Sequence, residues 1–96
     1  ISERNLFELE LCSIHFLRVM PSQANYFLCE VLPPCSVGWL AMTMLKHYNI
    51  LIRECSDTEG FDGKQYIRIA VRNHEDNAKL VNAFKEIDEQ CKQMMK

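Results

Sequence analysis

No charge of one sign dominates this sequence, no apolar run is long enough for a bilayer, and no two cysteines form a CxxC pair. Each of these absences removes a class of function. Eleven Lys and Arg against thirteen Asp and Glu leave a net charge of −2, with both signs spread along the chain. Neither a nucleic-acid backbone nor an anionic membrane surface is therefore an expected partner. The apolar runs fall far short of the roughly 20 residues that a membrane helix needs. The five cysteines, Cys12, Cys29, Cys35, Cys55 and Cys91, are odd in number and scattered. That is unlike a zinc site or a secreted disulfide framework, and it points to a reduced, cytoplasmic setting. His15, His47 and His74 are scattered as well, so no metal site is expected and the histidines read as surface or half-buried residues.

The opening residues lack the basic flank and long apolar stretch of a signal peptide. Because the chain opens on Ile1 rather than Met, it is expected to be a piece of something longer. It contains no internal repeat, low-complexity tract or linker. Its 96 residues, 48 % of them apolar, suffice for one modest domain with one core.

Ser2 can cap a first helix from Glu3 to about Ser13, with Leu6, Leu9 and Ser13 on one side and Phe7, Leu11 and Ile14 widening the apolar face. The reading is of a short, mostly buried helix. Phe16 to Met20 reads as extended, ended by Pro21 and Ser22. Asn25 to Val31 reads as a strand with Tyr26, Leu28 and Glu30 on one side and Phe27, Cys29 and Val31 on the other. Pro33 and Pro34 stop it. Ser36 then caps a second helix whose Val37, Leu40, Ala41, Met44, Leu45 and Tyr48 share a stripe, closed by Asn49. Two strand-like runs follow, around Ile50 to Arg53 and Tyr66 to Arg72. Asn73 and Asp76 have the shape of a capping box that opens a last helix with Leu80, Val81, Phe84, Ile87 and Cys91 on one face. The fold class is α+β, a small antiparallel or mixed sheet with helices packed on one face.

Arginine is unusual in the middle of β-prone runs, yet Arg53 and Arg68 occupy such positions. Strand alternation puts Ile67, Ile69 and Val71 on one side and Tyr66, Arg68, Ala70 and Arg72 on the other, and it sets Ile50 and Ile52 opposite Leu51 and Arg53. If the isoleucines face the helices, the arginines emerge on the other face. Should the two strands pair, their guanidinium groups form a fork suited to a carboxylate or phosphate. Alternatively, the arginines meet Glu54, Glu30 or water on an exposed sheet face.

Three stretches, read in order, carry a resemblance: "PSQANYFLCEV" (Pro21 to Val31), "ILIRECSDTEGF" (Ile50 to Phe61) and "YIRIAVRNHEDNAKLVNAF" (Tyr66 to Phe84). Together they resemble the C-terminal small domain of the fold-type I pyridoxal-phosphate aminotransferases, close to histidinol-phosphate aminotransferase. That family runs S-x-x-N-F strand, helix, G-I-x-V-R strand, L-R-I-T-V-G strand and E-x-N-x-x-L helix. The likeness reaches from about Phe16 onward. Two departures, "AVR" for T-V-G and "LIREC" for the V-R strand, lean towards the related threonine-phosphate decarboxylase.

The resemblance implies that residues 1–96 are a single C-terminal small domain, with the cofactor-binding large domain outside the chain. It implies that Arg68 grips the substrate α-carboxylate, that Arg53 reaches a second anionic group such as a phosphate, and that Asn25 stands where its strand approaches the active site. Ser22 reads better as a turn former, and Arg72 is a lesser candidate. The implied enzyme is a cytoplasmic homodimer that uses pyridoxal 5'-phosphate and acts on a small amino-acid substrate. Its Schiff-base lysine, pyridinium partner and phosphate cup find no match here. No catalytic, cofactor-binding or metal-binding residue is therefore assigned, and none of Lys46, Lys64, Lys79, Lys85, Lys92 and Lys96 is given the Schiff-base role. Two other readings stand beside transamination. One is a phospho-amino-acid decarboxylase of the same fold type, and the other a freestanding α+β module that binds an anion or a partner.

Overall fold

The computed structural model describes residues 2–21, 25–33, 35–55 and 64–94. Three helices and four strands follow the order α1 (Glu3–Cys12), β1 (Leu17–Val19), β2 (Tyr26–Val31), α2 (Val37–Tyr48), β3 (Arg53–Glu54), β4 (Tyr66–Ala70) and α3 (His74–Met94). The strands form one sheet in the order β1-β2-β4-β3, and every pair is antiparallel. The α+β class expected from the sequence is the class observed.

Side-chain alternation along the two central strands makes the sheet two-faced. Phe27, Cys29 and Val31 of β2 and Ile67 and Ile69 of β4 are buried, and they join one apolar cluster with Phe7 and Leu11 of α1, Leu40 and Met44 of α2, and Val81, Phe84 and Ile87 of α3. Phe7 meets Phe27 edge-on at 6.1 Å, and Phe16 meets Phe84 at 5.7 Å. These are the T-shaped arrangements that aromatic quadrupoles favour.

The helix ends are set where the sequence placed them. The Ser2 Oγ accepts from the Asn5 N–H and the Ser36 Oγ from the Trp39 N–H, each at 3.2 Å. Asn49 ends α2 in the left-handed region at φ 56°, which asparagine tolerates better than most residues. Asn73 Oδ1 accepts the Asp76 N–H at 2.8 Å. The return arm of the expected capping box is absent among the described residues, because the Asp76 carboxylate takes Arg72 Nε instead, at 3.2 Å.

Four expectations are corrected. Helix α1 is not mostly buried: only Phe7 and Leu11 are, and Leu9 is 62 % exposed. A ten-residue helix lying on one sheet face has only one side to bury. Leu45 likewise turns to solvent on α2. The run from Ile50 enters the sheet only at Arg53, so β3 is two residues long, although Ile52 is buried and Leu51 exposed as alternation required. Finally, β4 ends at Ala70, leaving Arg72 beyond the strand. Ser22, Pro34 and Lys96 lie outside the described residues.

Polar ties complete the packing. Asp88 of α3, buried, accepts the His15 backbone N–H at 3.2 Å and bonds the ring Nδ1 at 2.8 Å, which anchors the α1–β1 turn to α3. Replacing Phe84 by Ala is expected to cost about 3–5 kcal/mol in urea unfolding, whereas Leu9→Ala should stay within about 0.5 kcal/mol.

Candidate functional site

The C-terminal end of α2, strand β3, the end of β4 and the first turns of α3 enclose an open groove of about 630 Å³. Asn25, Arg53 and Arg68 all line it, as does Arg72. The three residues singled out from sequence are thus brought to one place. Strand pairing accounts for this: Arg53 is the cross-strand partner of Arg68, and Leu28 lies across from Arg68 on its other side.

Like charges placed directly opposite on neighbouring strands repel one another, so this pair needs compensation. Of the two glutamates expected within reach, Glu30 is already taken. Arg18 Nε donates to Glu30 Oε1 at 2.7 Å, and this hydrogen bond pushes the Arg18 pKa up. Neither Arg53 nor Arg68 forms an ion pair among the described residues. The Arg68 guanidinium instead lies 3.9 Å from the centre of the Tyr26 ring, a cation–π contact that orients the planar group without neutralising it. Four cationic side chains, Arg53, Arg68, Arg72 and Lys79, therefore line the groove against the single carboxylate of Asp76. A flat, forked donor set of this kind has the geometry that matches a carboxylate or phosphate.

Asn25 contributes its backbone as well, its carbonyl accepting the Val71 N–H at 2.9 Å. Sequence reasoning missed Tyr26, Asp76, Asn77 and Lys79. Tyr26 shares a face with Arg68 by alternation, but it comes to lie beneath the guanidinium only in this register, with Tyr26 across from Ala70. Lys79 and Asp76 depend on how α3 meets the end of β4, for which the sequence carries no local signal.

Among the described residues, the remaining reactive groups do not gather into a second centre. Among the described residues no group of three His, Cys, Asp or Glu could hold a metal, and no helix is long and apolar enough to cross a membrane. Burial pushes the Cys29 and Cys35 thiols up to about 12.

Comparison with known proteins gives this groove its context. No family model matches the chain. The chain is 38 % identical over 71 residues to the histidinol-phosphate aminotransferase of Methanococcus aeolicus, covering 74 % of this chain and 19 % of the relative. The crystal structure of the histidinol-phosphate aminotransferase from Clostridium acetobutylicum matches with a TM-score of 0.83 at 32 % identity, over 92 % of this chain and 26 % of that one. A decarboxylase from Sulfurospirillum multivorans matches with a TM-score of 0.82, also at 32 % identity, over 88 % and 24 %. Its relatives are fold-type I pyridoxal-phosphate enzymes. The chain spans between 10 % and 24 % of the length of the curated relatives it matches.

The residues present do not fit the cofactor by themselves. A lysine that carries it as a Schiff base is held in a desolvated pocket, and Lys46, Lys64, Lys79, Lys85 and Lys92 are all exposed.

Because the thiolate is the reactive form of cysteine, iodoacetamide at pH 8 should label exposed Cys12 and leave Cys29 and Cys35 untouched until the chain unfolds. Peptide mass spectrometry reads this directly.

Proposed function

We propose that this chain is the substrate-gripping small domain of a pyridoxal-phosphate-dependent enzyme acting on an amino acid that carries a second anionic group. The cofactor-bearing domain lies outside these 96 residues in this reading. The single observation that carries it is the facing pair Arg53 and Arg68, without a carboxylate partner among the described residues, on the wall of a groove that Asn25 also lines. In this role the Arg68 fork binds the α-carboxylate in two parallel hydrogen bonds and fixes the orientation of the Cα–H bond, while Arg53 meets the distal anion. Asn25 lines the same wall. Orientation is the contribution of this chain, and the bond-breaking chemistry belongs to the cofactor.

Histidinol-phosphate aminotransferases among the relatives support transamination to a 2-oxo acid. L-serine phosphate decarboxylases support the second reading, loss of CO₂ from a phospho-amino acid. Measuring CO₂ release against amino-group transfer by the complete enzyme separates the two. The complete enzyme is proposed to be a cytoplasmic homodimer, which sedimentation and fractionation test.

Two outcomes follow for the grip itself. Arg68→Lys in the complete enzyme keeps the charge and loses the planar fork, so the cofactor stays bound while kcat/KM falls. The expected loss is about 1.5–3 kcal/mol, a fall of about 10- to 140-fold. Arg53→Lys should weaken phosphorylated substrates far more than their unphosphorylated counterparts. An unchanged kcat/KM in Arg68→Lys, accompanied by a lower Tm, would make the arginine structural and remove the carboxylate-binding role.

A separate expectation concerns the 96-residue chain alone. Mixed with pyridoxal phosphate and dialysed, it should retain no stoichiometric cofactor absorbance near neutral pH. A chromophore that survives dialysis would refute the assignment of the cofactor site to another domain.

A further inference from the structure

Asn77, on the first turn of α3, is 3 % exposed, and its carboxamide is saturated with hydrogen bonds. Its Oδ1 accepts the Arg72 backbone N–H at 2.9 Å, and its Nδ2 donates both to the Arg72 carbonyl at 2.9 Å and to Glu3 Oε1 at 3.1 Å. A side chain that pairs with both polar groups of one residue takes the place of a missing strand partner. Here it does so where β4 has ended and the sheet no longer supplies one. The next residue back is also held, since the Val71 N–H donates to the Asn25 carbonyl at 2.9 Å. Asn25, Arg72 and Asn77 all line the groove. Glu3, the third partner of Asn77, is bonded to His74 Nδ1 at 3.0 Å as well, so the start of α1 is tied to the start of α3 at the same point.

We propose that Asn77 is a positioning residue of the substrate groove, which fixes the segment after β4, and with it the direction of Arg68 and Arg72, relative to α1 and α3. The inference rests on the groove being the substrate site. Without the carboxamide, the Arg72 peptide loses two fixed partners in a part-buried setting, where unmet polar groups carry a cost. Residues 71–73 then shift to find others. The arginine grip depends on orientation, and a displacement near 1 Å can cost as much as about 100-fold. Asn77 touches no substrate in this account and acts through the backbone.

The test uses the complete enzyme with its cofactor and O-phospho-L-serine as probe, comparing the parent with Asn77→Ala, Asn77→Asp and Arg68→Lys. Binding is followed by calorimetry, turnover by kcat and KM, and the Arg72 amide by hydrogen exchange. Asn77→Ala should raise KM by roughly 10-fold with kcat changed much less, in step with faster exchange at the Arg72 amide. Asn77→Asp keeps the acceptor for the Arg72 N–H but turns a second acceptor towards the Arg72 carbonyl and Glu3 Oε1, so its KM should rise at least as far as in Asn77→Ala. It also carries the test if the Ala variant does not fold. A lower Tm with KM unchanged in a folded variant makes Asn77 structural only and overturns the proposal. Weakened binding in Arg68→Lys without any change in either Asn77 variant overturns it while sparing the groove assignment. Equal binding by the parent and Arg68→Lys removes the groove assignment, and this proposal falls with it.

Discussion

The antiparallel pairing of β2 with β4 is the constraint on which the rest of the molecule depends. With Phe27 across from Ile69 and Cys29 across from Ile67, one face of the two central strands is wholly apolar and collects all three helices into a single core. A shift of one residue in either strand would turn its apolar side chains to the opposite face. The core fixes the register, and the register then puts Arg68 on the outer face with its guanidinium over Tyr26. Arg53 follows by the β3–β4 pairing. The groove is thus in the first place a consequence of core packing, which sets both arginines on its wall.

What could be read from the chain alone follows the range of each physical signal. Caps are local, so Ser2, Ser36 and Asn73 were legible, as was Asn49 as the residue that closes α2. Alternation is local as well, and it gave the inward isoleucines and the outward arginines correctly. Burial of a whole helix face is not local. Leu9 and Leu45 sit in apolar stripes of the expected spacing, but the face they occupy meets no partner among the described residues and stays exposed. The length of β3 was also hidden, because strand extent is set by the neighbour it pairs with, and only Arg53 and Glu54 reach β4.

Long-range polar contacts were the least legible of all. Arg18 with Glu30, His15 with Asp88, and Asn77 with Glu3 join residues 12, 73 and 74 positions apart. None has a periodic or compositional trace. Their effects are nevertheless large. By taking up Glu30, Arg18 removes the acidic partner that would otherwise be available on the outer face. The part of the alternative in which the arginines meet Glu30 thus fails through a residue that sequence reasoning had given no role, while both arginines remain exposed to water. Specificity of this kind resides in which carboxylate is already occupied, and that depends on the full register.

The groove also constrains how such a domain can work in the proposed enzyme. Arg53 and Arg68 are exposed in this chain, and an ion contact in open water at ordinary salt contributes only a few tenths of a kcal/mol to about 1 kcal/mol. Orientation of a substrate needs more than that. The same hydrogen bonds strengthen several-fold once water is excluded, because the effective dielectric falls while the donors remain fixed. A rigid sheet edge bearing two unneutralised guanidinium groups is therefore poised but weak by itself, and it gains its strength when a second body covers it. In the proposed enzyme, two guanidinium groups on one element and the chemistry on another would separate two requirements that conflict within a single site. There, such an ion contact is weak while open to water and stronger where water is excluded.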